Sequence, residues 1–350
     1  MSASNIPNYD FLALTREHEW HLDPFEFELP KVNVQVWDTG VMHIEPKQIK
    51  QDGRQKAVVL ASAVHGNETA PIEIVDDLIT QILKGELTPV HPVLFLFGNP
   101  AAINIGKRFV EENMNRLFSG HHSKGLDPQG RPTNRERQRA EKIEQYVTRF
   151  FDLYPNVERT LYDLHTAIRD SAHEKFAVYP HLHGKPWRKE QFEMLRAMGV
   201  STVLIMKTPA TTFSYYASHT HNAESFTIEL GKVRPFGEND QTKFAGAKQT
   251  LTNLILGKEV EPDAFDPMNF QIMEVFRAIN RDHEDFTLNF ADDVANFSEF
   301  KRGDVLAIEN GVEITAEKDG EAIVFPNADV ALGQRAILTV IPTSVQHNLA

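Results

Sequence analysis

The stretch KAVVLASAVHGNETAPIEIVDDLITQILKG, residues 56–85, decides the class of fold. Its first part, residues 56–64, is an almost continuous apolar run, which is typical of a strand buried on both faces of a sheet. Its last part, residues 69–85, has a helical apolar spacing and ends at Gly85, a common helix-ending residue. The apolar positions of that helix are Ile72, Val75, Leu78, Ile79 and Ile82. A strand, a polar turn and a helix therefore follow one another.

The same alternation continues along the chain on both sides of this stretch. A hairpin is predicted over residues 31–46, with DTG at its turn. Further strands are predicted over residues 91–100, 159–167, 201–207 and 224–231, and further helices over residues 134–154 and 242–258. Strands that alternate with helices predict an α/β fold with a mixed, largely parallel sheet flanked by helices.

The pattern changes after about residue 262, where short apolar segments separated by turns predict a small β-rich C-terminal module. We therefore expect two domains, an α/β domain over residues 1–261 and a β-rich domain over residues 262–350. The segment EPDAFDP, residues 261–267, reads as a linker. The segment FQIMEVFRAINR, residues 270–281, has a helical spacing and predicts a helix at the start of the second domain.

Composition excludes several classes of protein. The 350 residues include no cysteine, so disulfides, thiolate nucleophiles and cysteine metal sites are impossible. A formal net charge of −13 argues against a nucleic-acid binder. No apolar run reaches the length of about 18 residues that a membrane helix needs. The first residues, MSASNIPNYDFLALTREHEW, lack the pattern of a secretory signal, so a cytoplasmic protein is expected.

Histidine and glutamate stand where the strands end. His65 and Glu68 occupy the turn of the opening stretch, and His165 lies near the end of the strand RTLYDLHTA. Carboxyl ends of parallel strands meet at one edge of a sheet, so the three side chains could come together. Two histidines and a glutamate form a common catalytic zinc set that leaves one position open. The alternative is that each is an ordinary polar residue in a turn.

Glu229 stands near the end of another predicted strand, FTIELG. Alone, it would be expected to be a solvated residue at a strand tip. Beside a metal ion, a carboxylate can instead remove a proton from an attacking water molecule.

Four motifs in order resemble the zinc carboxypeptidase-like superfamily, most closely its aspartoacylase and succinylglutamate desuccinylase branch. They are HGNET (65–69), GNPAAINIGKRFVEENMNRLF (98–118), DLHTA (163–167) and TIELG (227–231). The resemblance extends from about residue 55 to about residue 235, and a C-terminal β module also fits this branch.

The resemblance implies one zinc ion, Zn²⁺, held by His65, Glu68 and His165, with Glu229 as the catalytic carboxylate. It also implies that Arg108 polarises the scissile carbonyl and, with Asn115 and Arg116, binds the substrate. The fork of an arginine suits bidentate binding of a carboxylate. The alternative is that Arg108 and Arg116 form surface ion pairs with the nearby acids at positions 111 and 112.

The implied reaction is hydrolysis of N-succinyl-L-glutamate to succinate and L-glutamate, as in arginine breakdown through succinylated intermediates. Two departures weigh against N-acetylaspartate. Aspartoacylases carry a further arginine about ten residues before the catalytic glutamate, and residues 215–229 contain none; Lys207, His219 or His221 could substitute. They also use a tyrosine of the C-terminal module, and residues 262–350 contain no tyrosine.

Other readings stay open at this point. The chain could hydrolyse another N-acyl amino acid, act as a metallocarboxypeptidase, or bind a ligand without catalysis. A non-catalytic protein would be expected to have lost one of the four site residues, and all four are present. The expected partner is a small anionic substrate, with no nucleic acid and no membrane, and a homo-oligomer is possible.

Overall fold

The computed structural model of the protein describes residues 6–48, 55–131, 133–258 and 266–350. The α-helices of this part are α1 (Phe11–Glu17), α2 (Thr69–Leu83), α3 (Pro100–Asn104), α4 (Arg135–Leu153), α5 (Lys189–Ala197), α6 (Phe213–His221) and α7 (Gln241–Ile255). The strands before α7 are β1 (Phe25–Glu28), β2 (Val32–Asp38), β3 (Val41–Pro46), β4 (Lys56–Ser62), β5 (Val93–Phe97), β6 (Glu158–Ala167), β7 (Phe176–Tyr179), β8 (Thr202–Ile205) and β9 (Glu224–Lys232). The later strands are β10 (Gln271–Asn280), β11 (Thr287–Leu288), β12 (Glu299–Phe300), β13 (Val305–Glu309), β14 (Val312–Thr315), β15 (Glu321–Val324) and β16 (Arg335–Pro342).

Most of these strands form one 13-stranded sheet in the order β1-β2-β3-β5-β4-β6-β9-β7-β8-β10-β16-β15-β12. Its centre is parallel, because β4 pairs in parallel with β5 and β6, and β6 pairs in parallel with β9. Antiparallel pairs lie on both sides of this centre. The predicted α/β class with a mixed, helix-flanked sheet is therefore confirmed. We call the edge at which β4, β6 and β9 end the site edge.

Strand β4 is apolar over residues 57–61 because helices cover both of its faces. Val58 and Leu60 belong to a core that includes apolar residues of α2, α5 and α7. Ala57 and Val59 point to the other side, into a core that includes apolar residues of α4 and α6. Successive side chains of a strand point to opposite faces, so a strand between two helical layers must be apolar at every position.

The predicted hairpin near the N-terminus is confirmed. Strands β2 and β3 pair antiparallel, with Asp38 opposite Val41. Gly40 has a φ of 62°, and a Cβ at this position would lie 2.6 Å from the carbonyl oxygen of Phe97. Glycine is therefore required in this turn both by the backbone conformation and by the close approach of β5.

The helix predicted over residues 270–281 is wrong, because this segment is strand β10. It pairs in parallel with β8 and antiparallel with β16. The register shifts between Val275 and Arg277, as expected for a β-bulge. An extra residue in a strand changes the two-residue alternation, so Ile272, Val275 and Ile279 acquire a spacing that imitates a helix.

The C-terminal strands lie beside the site edge. After β6 ends, the backbone N–H of Ala172 donates to the carbonyl of Asn296 at 2.9 Å, and the N–H of Asn296 donates to the carbonyl of Asp170 at 2.8 Å. Arg169 donates through Nε to the carbonyl of Pro326 at 3.1 Å. These bonds join the loop that follows β6 to the β-rich part of the chain.

The predicted boundary between residues 261 and 262, and most of the predicted linker, lie outside the described residues. The division into two domains therefore stays a prediction. Within the described ranges, no helix has the length and apolar character needed to cross a membrane.

Candidate metal and active site

Two histidines and one glutamate converge at the site edge. His65 and Glu68 lie in the turn between β4 and α2, and His165 lies near the end of β6. Glu68 Oε1 is 2.9 Å from His65 Nδ1, and Glu68 Oε2 is 2.8 Å from His165 Nδ1. The two Nδ1 atoms are 3.2 Å apart. All three side chains are buried, and their candidate ligand atoms lie within 4.8 Å of one another.

The turn that presents His65 and Glu68 has an unusual backbone. Ala63 has a φ of 58°, a conformation that residues other than glycine seldom adopt. Gly66 packs so closely against α3 that a Cβ there would lie 2.1 Å from the carbonyl carbon of Ala102. The N–H of Gly66 donates to the carbonyl of Arg108 at 3.2 Å. The turn, α3 and the loop of Arg108 therefore hold one another in place.

This close packing predicts a strong effect for Gly66→Ala. A methyl group 2.1 Å from a backbone atom must displace the turn or α3. We expect the free energy of unfolding to fall by at least about 2 kcal/mol and metal binding to weaken. Denaturant unfolding and metal titration measure the two effects.

Gly246→Ala is the matched control, because Gly246 lies inside α7, where alanine improves helix propensity. A Cβ there would lie 3.1 Å from the carbonyl oxygen of Ala197, a tight contact that a shift of a few tenths of an ångström relieves. Equal stability of both variants would contradict the prediction.

Two residues that the sequence did not single out orient the histidines. His65 Nε2 is 2.9 Å from Asn113 Oδ1. The same oxygen accepts the N–H of Asn115 at 3.1 Å, so it is an acceptor and Nε2 of His65 carries the hydrogen. His165 Nε2 is 2.9 Å from Asp163 Oδ2. Both rings are thereby held with Nδ1 toward Glu68.

A sequence signal existed for one of these two residues. Asp163 precedes His165 by two positions in a strand, so both side chains point to the same face. An acid inside a buried strand requires a partner, and His165 was the available one. Asn113 has no comparable signal, because it reaches His65 from a loop 48 positions away.

The buried charges of the site shift the pKa values of its groups. Burial, reinforced by the charge of Arg108, lowers the pKa of His65 to about 4. Burial opposes ionisation of Glu68, but His65 and His165 hold its pKa well below the usual range. Burial also opposes protonation of His165, yet Asp163 and Glu68 raise its pKa well above the usual range. The carboxylates of Glu68 and Asp163 thus favour a positive charge at the cluster of His65, Glu68 and His165.

The donor set fits a divalent metal ion. Imidazole nitrogen and carboxylate oxygen are the ligands of catalytic zinc sites that lack cysteine. The second nitrogen of each ring already has a polar partner, which is the usual arrangement around histidine ligands. His65, Glu68 and His165 could therefore hold a metal ion through two Nδ1 atoms and one carboxylate.

Glu229 lies directly opposite His165 in the register of β6 and β9. The residue is only 6% exposed, and its Oε2 is buried without a hydrogen-bond partner. Burial raises its pKa to about 7, against the opposing effect of His165. It is therefore a buried, unpaired carboxyl group beside the three candidate ligands rather than a solvated strand tip.

Arg108 does not form the surface ion pair that was the alternative reading. Its Nη1 donates to Oε1 of Glu68 at 2.6 Å, and its side chain is 30% exposed. Glu112 instead pairs with Arg137 at 2.7 Å. The Arg108 guanidinium therefore lies at the candidate metal site and remains accessible from outside.

Asn115 and Arg116 lie in the same loop. The side-chain oxygen of Asn115 accepts the N–H of Phe213, the first residue of α6, at 3.0 Å. Arg116 donates through Nη1 to the carbonyl of Asn115 at 2.8 Å. Asn115 thus ties this loop to α6, and the charge of Arg116 is not neutralised by that bond.

The residues considered as replacements for the missing arginine have other partners. Lys207 pairs with Glu274 at 2.6 Å. His219 and His221 lie at the end of α6, just before β9 begins, so the length of β9 separates them from the site edge. The structure therefore gives none of the three a place beside Glu229.

Comparisons with known proteins agree over nearly the whole chain. The model of the succinylglutamate desuccinylase/aspartoacylase catalytic domain matches residues 54–255, and the model of the AstE/AspA barrel-sandwich hybrid domain matches residues 268–343. The succinylglutamate desuccinylase of Idiomarina loihiensis is 52% identical, over 95% of each chain. That of Shewanella pealeana is 49% identical, over 94% of each chain.

A solved structure shows the same relationship. The succinylglutamate desuccinylase of Vibrio parahaemolyticus superimposes with a TM-score of 0.84 at 33% identity, over 95% of each chain. The sequence match and the shared fold lead to one conclusion: the chain belongs to the succinylglutamate desuccinylase/aspartoacylase family.

Proposed function

We propose that this protein is a zinc-dependent amidohydrolase that cleaves N-succinyl-L-glutamate to succinate and L-glutamate. The observation that supports it most is the buried convergence of His65, Glu68 and His165 beside the unpaired carboxyl group of Glu229. The substrate rests on the relatives, which are named succinylglutamate desuccinylases and are about half identical to this chain. A cytoplasmic location is part of the proposal and rests on the sequence prediction.

The proposed ligands of the metal are Nδ1 of His65, a carboxylate oxygen of Glu68 and Nδ1 of His165. When bound, a divalent ion such as zinc supplies Lewis acidity, which polarises an amide carbonyl and makes a water molecule more acidic. The chain prepares this site through Asn113 and Asp163, which hold the rings with Nδ1 inward.

In this proposal Glu229 is the general base and then the general acid. Its unpaired carboxylate oxygen takes a proton from the attacking water and later gives it to the nitrogen of the departing glutamate. A carboxyl group whose pKa is raised by burial to about 7 suits both tasks near neutral pH.

Arg108, Asn115 and Arg116 are proposed to bind the substrate, with Arg108 also stabilising the negative charge that develops on the carbonyl oxygen. Local positive charge matters here because the protein has a formal net charge of −13 and the proposed substrate is a tricarboxylate. Two guanidinium groups and a metal ion can attract an anion even where the overall charge repels it.

A panel of N-acyl amino acids tests the substrate. We expect kcat/KM for N-succinyl-L-glutamate to exceed that for N-acetyl-L-aspartate, N-acetyl-L-glutamate and a blocked dipeptide by at least about tenfold, the scale of one charged hydrogen bond. Ninhydrin-type detection of released amine serves all four compounds. Faster turnover of N-acetyl-L-aspartate or of the peptide would contradict the substrate assignment while leaving the hydrolase assignment intact.

A further inference from the structure

Two arginines close to the site, Arg116 and Arg335, have no acidic partner. Among the residues that the structure describes, no carboxylate oxygen lies within 4.0 Å of either guanidinium. Nε of Arg335 is buried and has no hydrogen-bond partner. Arg137, another half-buried arginine, is by contrast neutralised by Glu112 at 2.7 Å.

Arg335 belongs to the segment of the C-terminal part that docks at the site edge. It is the first residue of β16, and the carbonyl of the next residue, Ala336, accepts the N–H of Asn327 at 2.8 Å. The residue before Asn327, Pro326, accepts the Nε hydrogen bond of Arg169. Arg169 follows β6, the strand of His165, by two positions. A short chain of contacts therefore connects Arg335 with the end of that strand.

Arg335, Arg116 and Arg108 form a cluster of like charges. Burial, together with the charges of Arg335 and Arg108, lowers the pKa of Arg116 to about 9. Burial lowers the pKa of Arg335 to about 10. Guanidinium groups that are close together, partly desolvated and without counter-charges destabilise a folded protein unless an anion joins them.

We propose that Arg335, with Arg116, binds a carboxylate of the substrate that is remote from the scissile amide. The C-terminal part would then contribute directly to substrate selection and favour N-acyl amino acids with additional carboxylates. The planar fork of arginine matches a carboxylate in a bidentate geometry. This inference rests on the proposed function, because it concerns the substrate of the same site.

Three analogues, each lacking one carboxylate of N-succinyl-L-glutamate, test the inference with Arg335→Met. They are N-butyryl-L-glutamate, N-succinyl-L-norvaline and N-succinyl-γ-aminobutyrate. For the full substrate we expect kcat/KM of the variant to fall about tenfold to a hundredfold, mainly through KM, because a charged hydrogen-bonded pair is lost from ground and transition states alike. For the analogue that lacks the bound carboxylate, wild type and variant should be equal.

Two further variants separate binding from structure. Arg335→Lys keeps the positive charge but loses the planar fork of the guanidinium. Its kcat/KM should therefore lie between those of wild type and Arg335→Met. Arg302→Met removes an exposed arginine from the same part of the chain, and it should leave kcat/KM and the melting temperature unchanged. Removal of an unpaired, partly buried charge should leave the melting temperature of Arg335→Met equal to that of wild type or higher.

The inference is overturned if Arg335→Met has unchanged kinetics, or if it loses activity equally on all four compounds with a lower melting temperature. If wild type hydrolyses none of the compounds, the proposed function fails instead. Calorimetric binding of the same compounds to wild type and Arg335→Met then decides the inference. The inference is supported if Arg335→Met binds the full substrate more weakly than wild type and this difference disappears for one analogue. It is rejected if the two proteins bind all the compounds equally.

Discussion

Glu229→Gln is expected to lower kcat by at least about a hundredfold while metal content stays at the wild-type level. Glutamine has nearly the size of glutamate but cannot accept a proton from water. Because Glu229 is not one of the three converging ligand groups, its amide should leave the metal site intact. Steady-state hydrolysis of N-succinyl-L-glutamate and elemental analysis of the purified variant measure the two quantities.

Glu224→Gln is the matched control for this experiment. Glu224 lies at the other end of β9, is half-buried, and, like Glu229, has a pKa raised by burial. Its substitution should leave kcat unchanged, because the length of the strand separates it from the site edge. Near-normal turnover by Glu229→Gln would remove the general-base role from the proposal.

Stability distinguishes a catalytic loss from a folding loss. The pKa of Glu229 in the metal-free folded protein is raised above its unfolded value, to about 7. Its contribution to the free energy of unfolding is therefore full at low pH and is lost as the pH rises through that range. At pH 8 the metal-free Glu229→Gln protein should be at least as stable as wild type, and a lower melting temperature would show that the substitution damages the fold.

His165→Ala is expected to abolish stoichiometric zinc binding and to lower activity by at least about a thousandfold. The remaining pair of ligands cannot form a three-ligand site, and a metal ion contributes several kcal/mol to the stabilisation of developing charge. Zinc should raise the melting temperature of wild type by mass action but leave that of the variant unchanged. Elemental analysis, turnover and thermal unfolding with added zinc measure these effects.

Asp163→Asn provides a graded comparison. Asp163 contacts only the outer nitrogen of His165, so its loss should weaken zinc binding by about tenfold to a hundredfold without removing a ligand. Activity of this variant should recover as zinc is added, whereas that of His165→Ala should not. Full zinc content and normal turnover in His165→Ala would show that the three residues do not form the proposed site.

Much of the fold could be predicted from local patterns. In residues 56–85, the strand and the helix can both be recognised from the spacing of apolar residues. Strand β4 is covered on both faces and therefore has a continuous apolar run, whereas α2 is covered on one face and therefore has a helical apolar spacing. Strand β10 could not be predicted in this way. Its bulge after Val275 interrupts the two-residue period, and its pairing partners lie 69 positions earlier in β8 and 55 to 69 positions later in β16.

By itself, the sequence determined which chemistry was available: a cysteine-free chain with histidine and glutamate in the turn after a buried strand. Only the tertiary structure decided that His165 meets this pair, that Asn113 orients a ring from a distant loop, and that Arg335 remains without a counter-charge. The local spacing of apolar residues depends on whether other elements cover one or both faces of a segment. The meeting of distant side chains depends on strand order and register, which no local pattern contains.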